Sequence, residues 1–407
     1  MKKLYTPIHN LSWLKRFRFL IIVAIFITTV FKSYGQVLVN FNPRTSTATP
    51  SETIYNIKGD FTMLGNTNLT LVNYSNTANN NSDMRYVDVD TDTNTWNSSS
   101  ANLTFSTENG AIPDCSNIIY AGLYWTGRAG ASETFSVTKG STNKIFNKKK
   151  VKIKGPASST YQEVTALNNA IFYPSGAYDD MYSAYTEITD YVKTNGVGAY
   201  TVADIALIEG NGGNTGFYGG WGMVVVYENS KMNWRDVTVF DGHAFVASNG
   251  GNQLLPISGF RAAQNGPINL KLGIMAGEGD VGVSGDRFEM LIRDTNAYES
   301  LSHSGNTVDN FFNSSIVTGN TRFPSLQNNT GIDIAMFNVD NGNNNAITTD
   351  DNKFVTNNQT STSFRYGSTQ DTYIIFNVTF SVNAYIPEPV GVLTSTSVTN
   401  PNPQPGE

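Results

Sequence analysis

Thr372-Tyr-Ile-Ile-Phe-Asn-Val-Thr-Phe-Ser-Val-Asn-Ala-Tyr385 is the stretch whose pattern sets the fold class. Ile374, Phe376, Val378, Phe380 and Val382 recur at every second position, with Asn377, Thr379 and Ser381 between them. Side chains of an extended chain point to opposite faces in turn, so this period predicts a long strand with one apolar face. Its β-branched and aromatic residues suit a pleated, half-buried surface.

Working outward, the same signal recurs along most of the chain. Asn117 to Trp125 and Trp221 to Tyr227 are apolar runs, as expected of strands buried on both faces. Lys144 to Lys154, Tyr200 to Ile208, Val237 to Phe245, Ile268 to Met275, Phe288 to Ile292 and Ile332 to Phe337 complete the set. One short helical turn is expected at Tyr185 to Lys193. Helical apolar periodicity is otherwise nearly absent, and Gly and Asn punctuate the strands. The reading is all-β: a large β-sandwich or jelly-roll-like fold, as one unit or two fused sandwiches. Residues 36–386 form this β-rich region, with a sub-boundary near 229–234. Two stretches, Asn73 to Ser100 and Asn338 to Thr362, read as polar loops.

The two ends of the chain read differently. Lys2, Lys3, Lys15, Arg16 and Arg18 precede an uncharged apolar run from Phe19 to Phe31, and Ser33-Tyr-Gly35 follows. This is the pattern of a cleaved signal peptide over residues 1–35, and the run of about 13 residues is short for a bilayer span of about 20. Gln36 is the expected mature N-terminus. Residues 387–407 are rich in Pro, Thr and Ser and read as an extended linker leading into a longer protein. The first 35 residues hold six basic and no acidic side chains, so the basic count falls from 27 to 21 against 33 acidic, a net of −12. Such a balance disfavours nucleic acid and anionic lipid. Cys115 is the sole cysteine, which excludes an intrachain disulfide; it reads as a small buried residue near a strand start.

Candidate chemistry lies in the acidic loops. Asp88, Asp90, Asp92 and Asn94 alternate oxygen ligands as calcium requires, although Thr93 and Ser99 stand where an EF-hand loop needs Gly and Glu. Asp340-Asn-Gly-Asn with Asp350 is a second candidate calcium loop. Glu278, Asp280 and Asp286 flank a turn and offer paired carboxylates of the kind glycoside hydrolysis uses. The Gly-rich run 210–220 lacks the Lys-Ser/Thr and the helix of a phosphate-binding loop. Lys148, Lys149, Lys150, Lys152 and Lys154 form one basic patch, read as an exposed edge strand. Aromatics in or beside loops, among them Trp96 and Tyr178, suit stacking on sugar rings. No nucleophile-elbow or zinc-protease motif is present, and catalysis is not expected.

Several segments together resemble a known family. They are Tyr120-Ala-Gly-Leu-Tyr-Trp-Thr-Gly127, Tyr218-Gly-Gly-Trp-Gly-Met-Val-Val-Val-Tyr-Glu228, Arg235-Asp-Val-Thr-Val-Phe-Asp-Gly242, Ala276-Gly-Glu-Gly-Asp280, Gly285-Asp286, Asn310-Phe-Phe-Asn-Ser-Ser315 and Gly331-Ile-Asp-Ile-Ala335. In this order they resemble the N-terminal β-rich domain of large Bacteroidota cell-surface, gliding-type adhesins exported by type IX secretion. The resemblance implies an extracellular, non-catalytic adhesin head that binds surface glycans or proteins and depends on type IX secretion and surface-anchoring machinery. It supplies no catalytic residues, and no repeats or sorting domain follow within the chain. The alternative is a carbohydrate-active enzyme or a lectin module.

Overall fold

The computed structural model describes residues 36–130, 132–342 and 352–386. The leader, the Pro-rich tail and Asp350 lie outside them. The structure is 49% strand and 5% helix, an all-β sandwich fold. The single α-helix among the described residues, α1 (Thr189–Asn195), begins four residues later than the expected turn, because Tyr185 still belongs to a strand.

One sheet organises the molecule. Its strands are β1 (Gln36–Pro43), β2 (Tyr55–Thr67), β3 (Asn117–Arg128), β4 (Ile171–Phe172), β5 (Met181–Glu187), β6 (Gly219–Glu228), β7 (Trp234–Val246), β8 (Leu270–Gly277), β9 (Ile316–Val317), β10 (Ile332–Val339) and β11 (Tyr373–Asn383). Their order is β4-β5-β3-β6-β2-β7-β11-β8-β10-β9, with β1 also paired to β7. β7 is the hinge of this arrangement. Its first residues, Trp234 to Val237, pair with the start of β2, and its second half pairs with β1 instead. Beyond that fork the sheet divides into two halves that turn to face each other.

Each half buries its outer face against a separate small sheet. On the first half, Leu123, Trp125, Trp221, Met223 and Val225 pack with Leu103, Ile153 and Val202. Those partners come from the sheet ordered Gln162–Thr165, Lys150–Lys154, Gly198–Ala203, Ser98–Leu103 and Arg322–Phe323. On the second half, Leu272, Ile274 and Phe380 pack with Ile257, Phe288 and Phe364. These come from the sheet ordered Gly251–Ser258, Ser361–Ser368, Asp286–Leu291 and Tyr298–Ser300. The result is two sandwiches set back to back.

A third core fills the space between the halves: Phe61, Met63, Tyr120, Tyr124, Val224, Val226, Val237, Met275, Ile334, Ile374 and Phe376. The halves approach closely because glycines line the contact. A Cβ on Gly222 would lie 2.6 Å from Met275 Sδ, and one on Gly273 2.6 Å from Met63 Cε. Polar ties cross the same interface. Lys271 reaches Asp60 at 2.9 Å, and Ser183 Oγ lies 2.6 Å from His243 Nδ1 in a fully buried pair.

The strand that opened the sequence reading is a strand, but its five alternating residues do not share a face. Asn377 pairs with Asp241 and Ile375 with Ala244 on one side; on the other, Met275 and Ala276 take the same two partners. Phe376 is the extra residue of a β-bulge, which reverses the alternation. Ile374 and Phe376 therefore enter the core between the halves, whereas Val378, Phe380 and Val382 enter the outer core of the second half.

Three further expectations are corrected. Lys150–Lys154 is no edge strand: it pairs with Gln162–Thr165 on one side and Gly198–Ala203 on the other. Cys115 is exposed, because the 3-10 turn Pro113–Cys115 lies on the surface before β3 begins. The stretch read as the loop 73–100 contains the strand Asp83–Tyr86 and the start of Ser98–Leu103.

Three outcomes are expected. A Cβ on Gly65 would sit 2.3 Å from the Trp221 backbone carbonyl, so Gly65→Ala should cost about 1–3 kcal/mol in chemical denaturation. Gly130→Ala, with its nearest neighbour at 4.0 Å, should leave stability within about 0.5 kcal/mol. Burial lowers the His243 pKa to about 3. A depressed imidazole supplies stability that is complete above its unfolded pKa of about 6.5 and is lost as pH falls toward 3. Its NMR signal should accordingly report a neutral ring throughout pH 5 to 8.

Candidate functional site

Five carboxylates gather at one end of the contact between the halves. Glu278 and Asp280 follow β8, Asp286 opens the strand Asp286–Leu291, Asp333 lies in β10, and Asp371 immediately precedes β11. All five are buried, at 0% to 7% exposure. One oxygen each from Glu278, Asp280 and Asp371 lies within 4.8 Å of the others, the one such grouping of three acidic, His or Cys ligands among the described residues. The backbone is shaped to hold them. Glu278 adopts φ 81°, a left-handed conformation that costs a non-glycine residue about 1–2 kcal/mol, and its N–H donates to the Gly331 carbonyl at 2.6 Å.

Hydrogen bonds satisfy only part of this cluster. Asp371 accepts from the backbone N–H of Asp280 at 3.2 Å and of Thr372 at 2.8 Å. Asp286 accepts from Phe312 N–H at 2.6 Å, and Asp333 from Ser315 N–H at 3.0 Å. Glu278 Oε2, Asp280 Oδ1, Asp286 Oδ1 and Asp333 Oδ2 are buried without a partner among the described residues. Burial raises every one of these pKa values: Asp280 to about 6, Asp286 to about 7 and Asp371 to about 9. Glu278 and Asp333 are pushed well above the usual range, again by burial first and then by neighbouring carboxylates.

The first half of the molecule closes the site. Asn79 Oδ1 accepts from Gly282 N–H at 2.7 Å. The backbone of Asn80 lies beside Asp280 and lowers its pKa against the larger effect of burial, while both polar atoms of the Asn80 side chain are buried and unpaired. Arg128, whose charge favours ionised Glu278, is engaged elsewhere. It pairs with Asp180 at 2.9 Å and donates to the carbonyls of Gly212 and Gly216. An all-oxygen donor set of this kind suits a hard cation. Oxygens within 4.8 Å are tighter than the roughly 5–5.5 Å between the carboxyl groups of a retaining glycosidase, and burial keeps a sugar ring away from them.

The residues expected from sequence to bind calcium, Asp88, Asp90, Asp92, Asn94 and Asp340, lie elsewhere, with their oxygens largely taken by the protein itself. Asp90 accepts from Asp92 N–H at 2.9 Å, from Thr95 Oγ1 at 3.1 Å and from the Tyr161 hydroxyl. Asp92 Oδ1 accepts from the backbone and side chain of Asn94, both at 2.9 Å, and Asp88 accepts from Ser98 Oγ at 2.8 Å. Asp340 caps the turn at Gly342 N–H, 2.9 Å away. The basic patch is largely neutralised. Lys144 and Lys152 share Asp204, Lys150 meets Glu163, and Lys149 meets Glu133. Lys148 is buried between the rings of Tyr173 and Tyr182, and desolvation lowers its pKa to about 8.

At the far end of the same strands lies an open groove of about 450 Å³. Asn56, Lys58, Asn117, Glu228, Ser230 and Trp234 line it, beside Cys115. Asn117 donates to Glu228 at 2.9 Å, and the half-exposed Trp234 ring lies 5.9 Å from Lys58 Nζ. β6 runs from one site to the other: Gly219 adjoins the carboxylate end and Glu228 the groove, about 30 Å apart.

Sequence reasoning singled out Glu278, Asp280 and Asp286 and missed Asp333 and Asp371. A carboxylate at the second position of the apolar run Ile332 to Phe337 was a usable signal for Asp333. Asp371 gave none, since an Asp before a strand is ordinary turn chemistry.

No family model matches the chain, and no curated protein matches it. Solved structures give faint likenesses. The major capsid protein P2 of bacteriophage PM2 is 12% identical over 69% of this chain and 97% of that one, with a TM-score of 0.17. PNGF-II is 11% identical over 89% of this chain and 68% of that one, also with a TM-score of 0.17. Superpositions at that level carry no argument about fold or function. Among the described residues no helix is long and apolar enough to cross a membrane.

Hydrogen bonding, and no ion, should hold the Asp88–Asn94 turn. Asp90→Ala should lower stability by about 1 kcal/mol in urea titrations, by the same amount with calcium or with chelator.

Proposed function

We propose that this chain is the binding head of an exported cell-surface adhesin and that its ligand is an extracellular glycan. Chief support comes from the groove at Trp234. A partly exposed indole gives a flat apolar platform on which a sugar ring can lie, and Trp is prominent among residues that anchor binding interfaces. Around it, Asn56, Asn117, Glu228 and Lys58 supply the amide, carboxylate and ammonium groups that hydrogen-bond ring hydroxyls. The groove is shallow and open, as suits a segment of a longer chain of sugars. The resemblance to gliding-type adhesins and the signal-peptide pattern agree with an extracellular role reached through type IX secretion.

The test is a glycan-array screen of the secreted protein followed by calorimetric titration of the best oligosaccharide. Trp234→Ala should weaken binding at least tenfold, about 1.4 kcal/mol, without changing the melting temperature by more than a few degrees. Glu228→Gln should weaken it less. Release of reducing ends during the assay would favour the carbohydrate-active enzyme instead. Full affinity in Trp234→Ala would remove the groove as the binding site.

A further inference from the structure

Five buried carboxylates surrounding one another are an arrangement that a chain cannot hold uncompensated. An ionised carboxylate taken out of water costs several kcal/mol even after relaxation, and like charges add to that. Four of the five keep a buried oxygen with no partner among the described residues. Two of those four, Glu278 and Asp280, belong to the trio whose ligand oxygens converge within 4.8 Å. Two oxygens bound to one ion at about 2.4 Å each can stand no further apart than about 4.8 Å, and every pair among the three carboxylates meets that limit. The amide oxygens of Asn80 and Asn310 are also buried and unpaired beside this cluster. Asn310 Nδ2 donates to the carbonyls of Asp280 and Val281, which fixes its side chain there.

We propose that Glu278, Asp280 and Asp371 bind a calcium ion that clamps the two halves of the molecule together, with Asn80 of the first half completing the site. Three features select calcium. The donors are all oxygen, which disfavours zinc, whose structural sites use Cys and His. Three carboxylates in irregular loop geometry suit a large, permissive cation better than magnesium, which demands a near-ideal octahedron and retains water. The ligands come from both sides of the interface: Asn79, next to Asn80, accepts from Gly282 N–H in the turn that carries Asp280. The clamp is independent of the ligand that the distant groove takes, so failure of the glycan reading leaves it standing.

Calorimetric titration of the chelator-stripped, full secreted protein with calcium chloride tests the proposal. One ion per chain is expected, with a rise of several degrees in the melting midpoint at millimolar calcium. Glu278→Gln and Asp371→Asn should abolish the response. In chelator each should melt at or above the wild-type midpoint, because each replaces a buried acid, left without its counter-ion, by a neutral amide of the same shape. Asp90→Asn should keep the full response. Hydrogen exchange should locate the effect: removing calcium should raise exchange together at residues 79–82 and 278–282. Absence of calcium binding by the wild-type protein overturns the proposal, as does a wild-type response in Glu278→Gln. Loss of the response in Asp90→Asn would place the ion in the Asp88–Asn94 loop and likewise overturn it. Exchange that rises only at 278–282 would refute the clamp.

Discussion

Both faces of a single sheet must be buried in this protein, and the rest of the structure follows from how that is done. A sandwich normally leaves the outer face of each sheet in water. Here the inner halves of the large sheet carry apolar residues on both faces, as the fully buried run of β6 from Gly219 to Tyr227 makes plain. The solution is to fold the sheet at β7 and press its two halves together. Gly65, Gly222 and Gly273 permit that approach, since a side chain at any of them would meet backbone or methionine sulfur from the strands alongside or opposite. The bulge at Phe376 belongs to the same solution. By reversing the alternation it lets β11 feed two cores, one between the halves and one beneath the outer sheet.

The fold class was legible because strand periodicity survives in any strand with one uniform apolar face. Two-sided burial was legible as an apolar run at residues 117–125 and 221–227, but not where buried polar groups are satisfied by distant partners. Tyr55–Thr67 is the clearest case. Lys58, Gly59, Asp60, Thr62 and Asn66 interrupt its apolar pattern, so it does not read as a strand. Yet from Gly59 onward it is wholly buried, because Lys271 neutralises Asp60 and the carbonyls of Ser100 and Pro324 accept from Asn66. The bulge was illegible for a different reason. Ile374 to Val382 has a perfect two-residue period, and only the pairing with β8 reveals that Phe376 is the extra residue.

The candidate sites divide along similar lines. Runs of Asp and Asn in one loop are easily seen, but neighbours in sequence tend to cap each other's backbone, as Asp90, Asp92 and Asn94 do. The carboxylates that converge at the site are drawn from places 93 residues apart, between Glu278 and Asp371, and meet only because β8 and β11 are adjacent in the sheet. Four of the segments behind the adhesin resemblance, those at 276–280, 285–286, 310–315 and 331–335, converge on this one end of the fold.

The placement of the two sites has a physical logic that links them. The groove at Trp234 is built where β2 and β7 still pair, at the undivided end of the sheet. The carboxylates lie at the opposite end, where among the described residues no strands of the two large-sheet halves pair with each other, while Arg322–Phe323 crosses from the second half to pair with Ser98–Leu103. Between those ends the interface relies on apolar packing and a few ties such as Lys271 to Asp60 and Ser183 to His243. A seam whose two large-sheet halves are joined through strand pairing at one end opens most easily from the other. An ion bridge across the unpaired end is therefore where a small number of strong oxygen–metal contacts would resist separation most effectively. It would cost the groove nothing, since about 30 Å of strand lies between them.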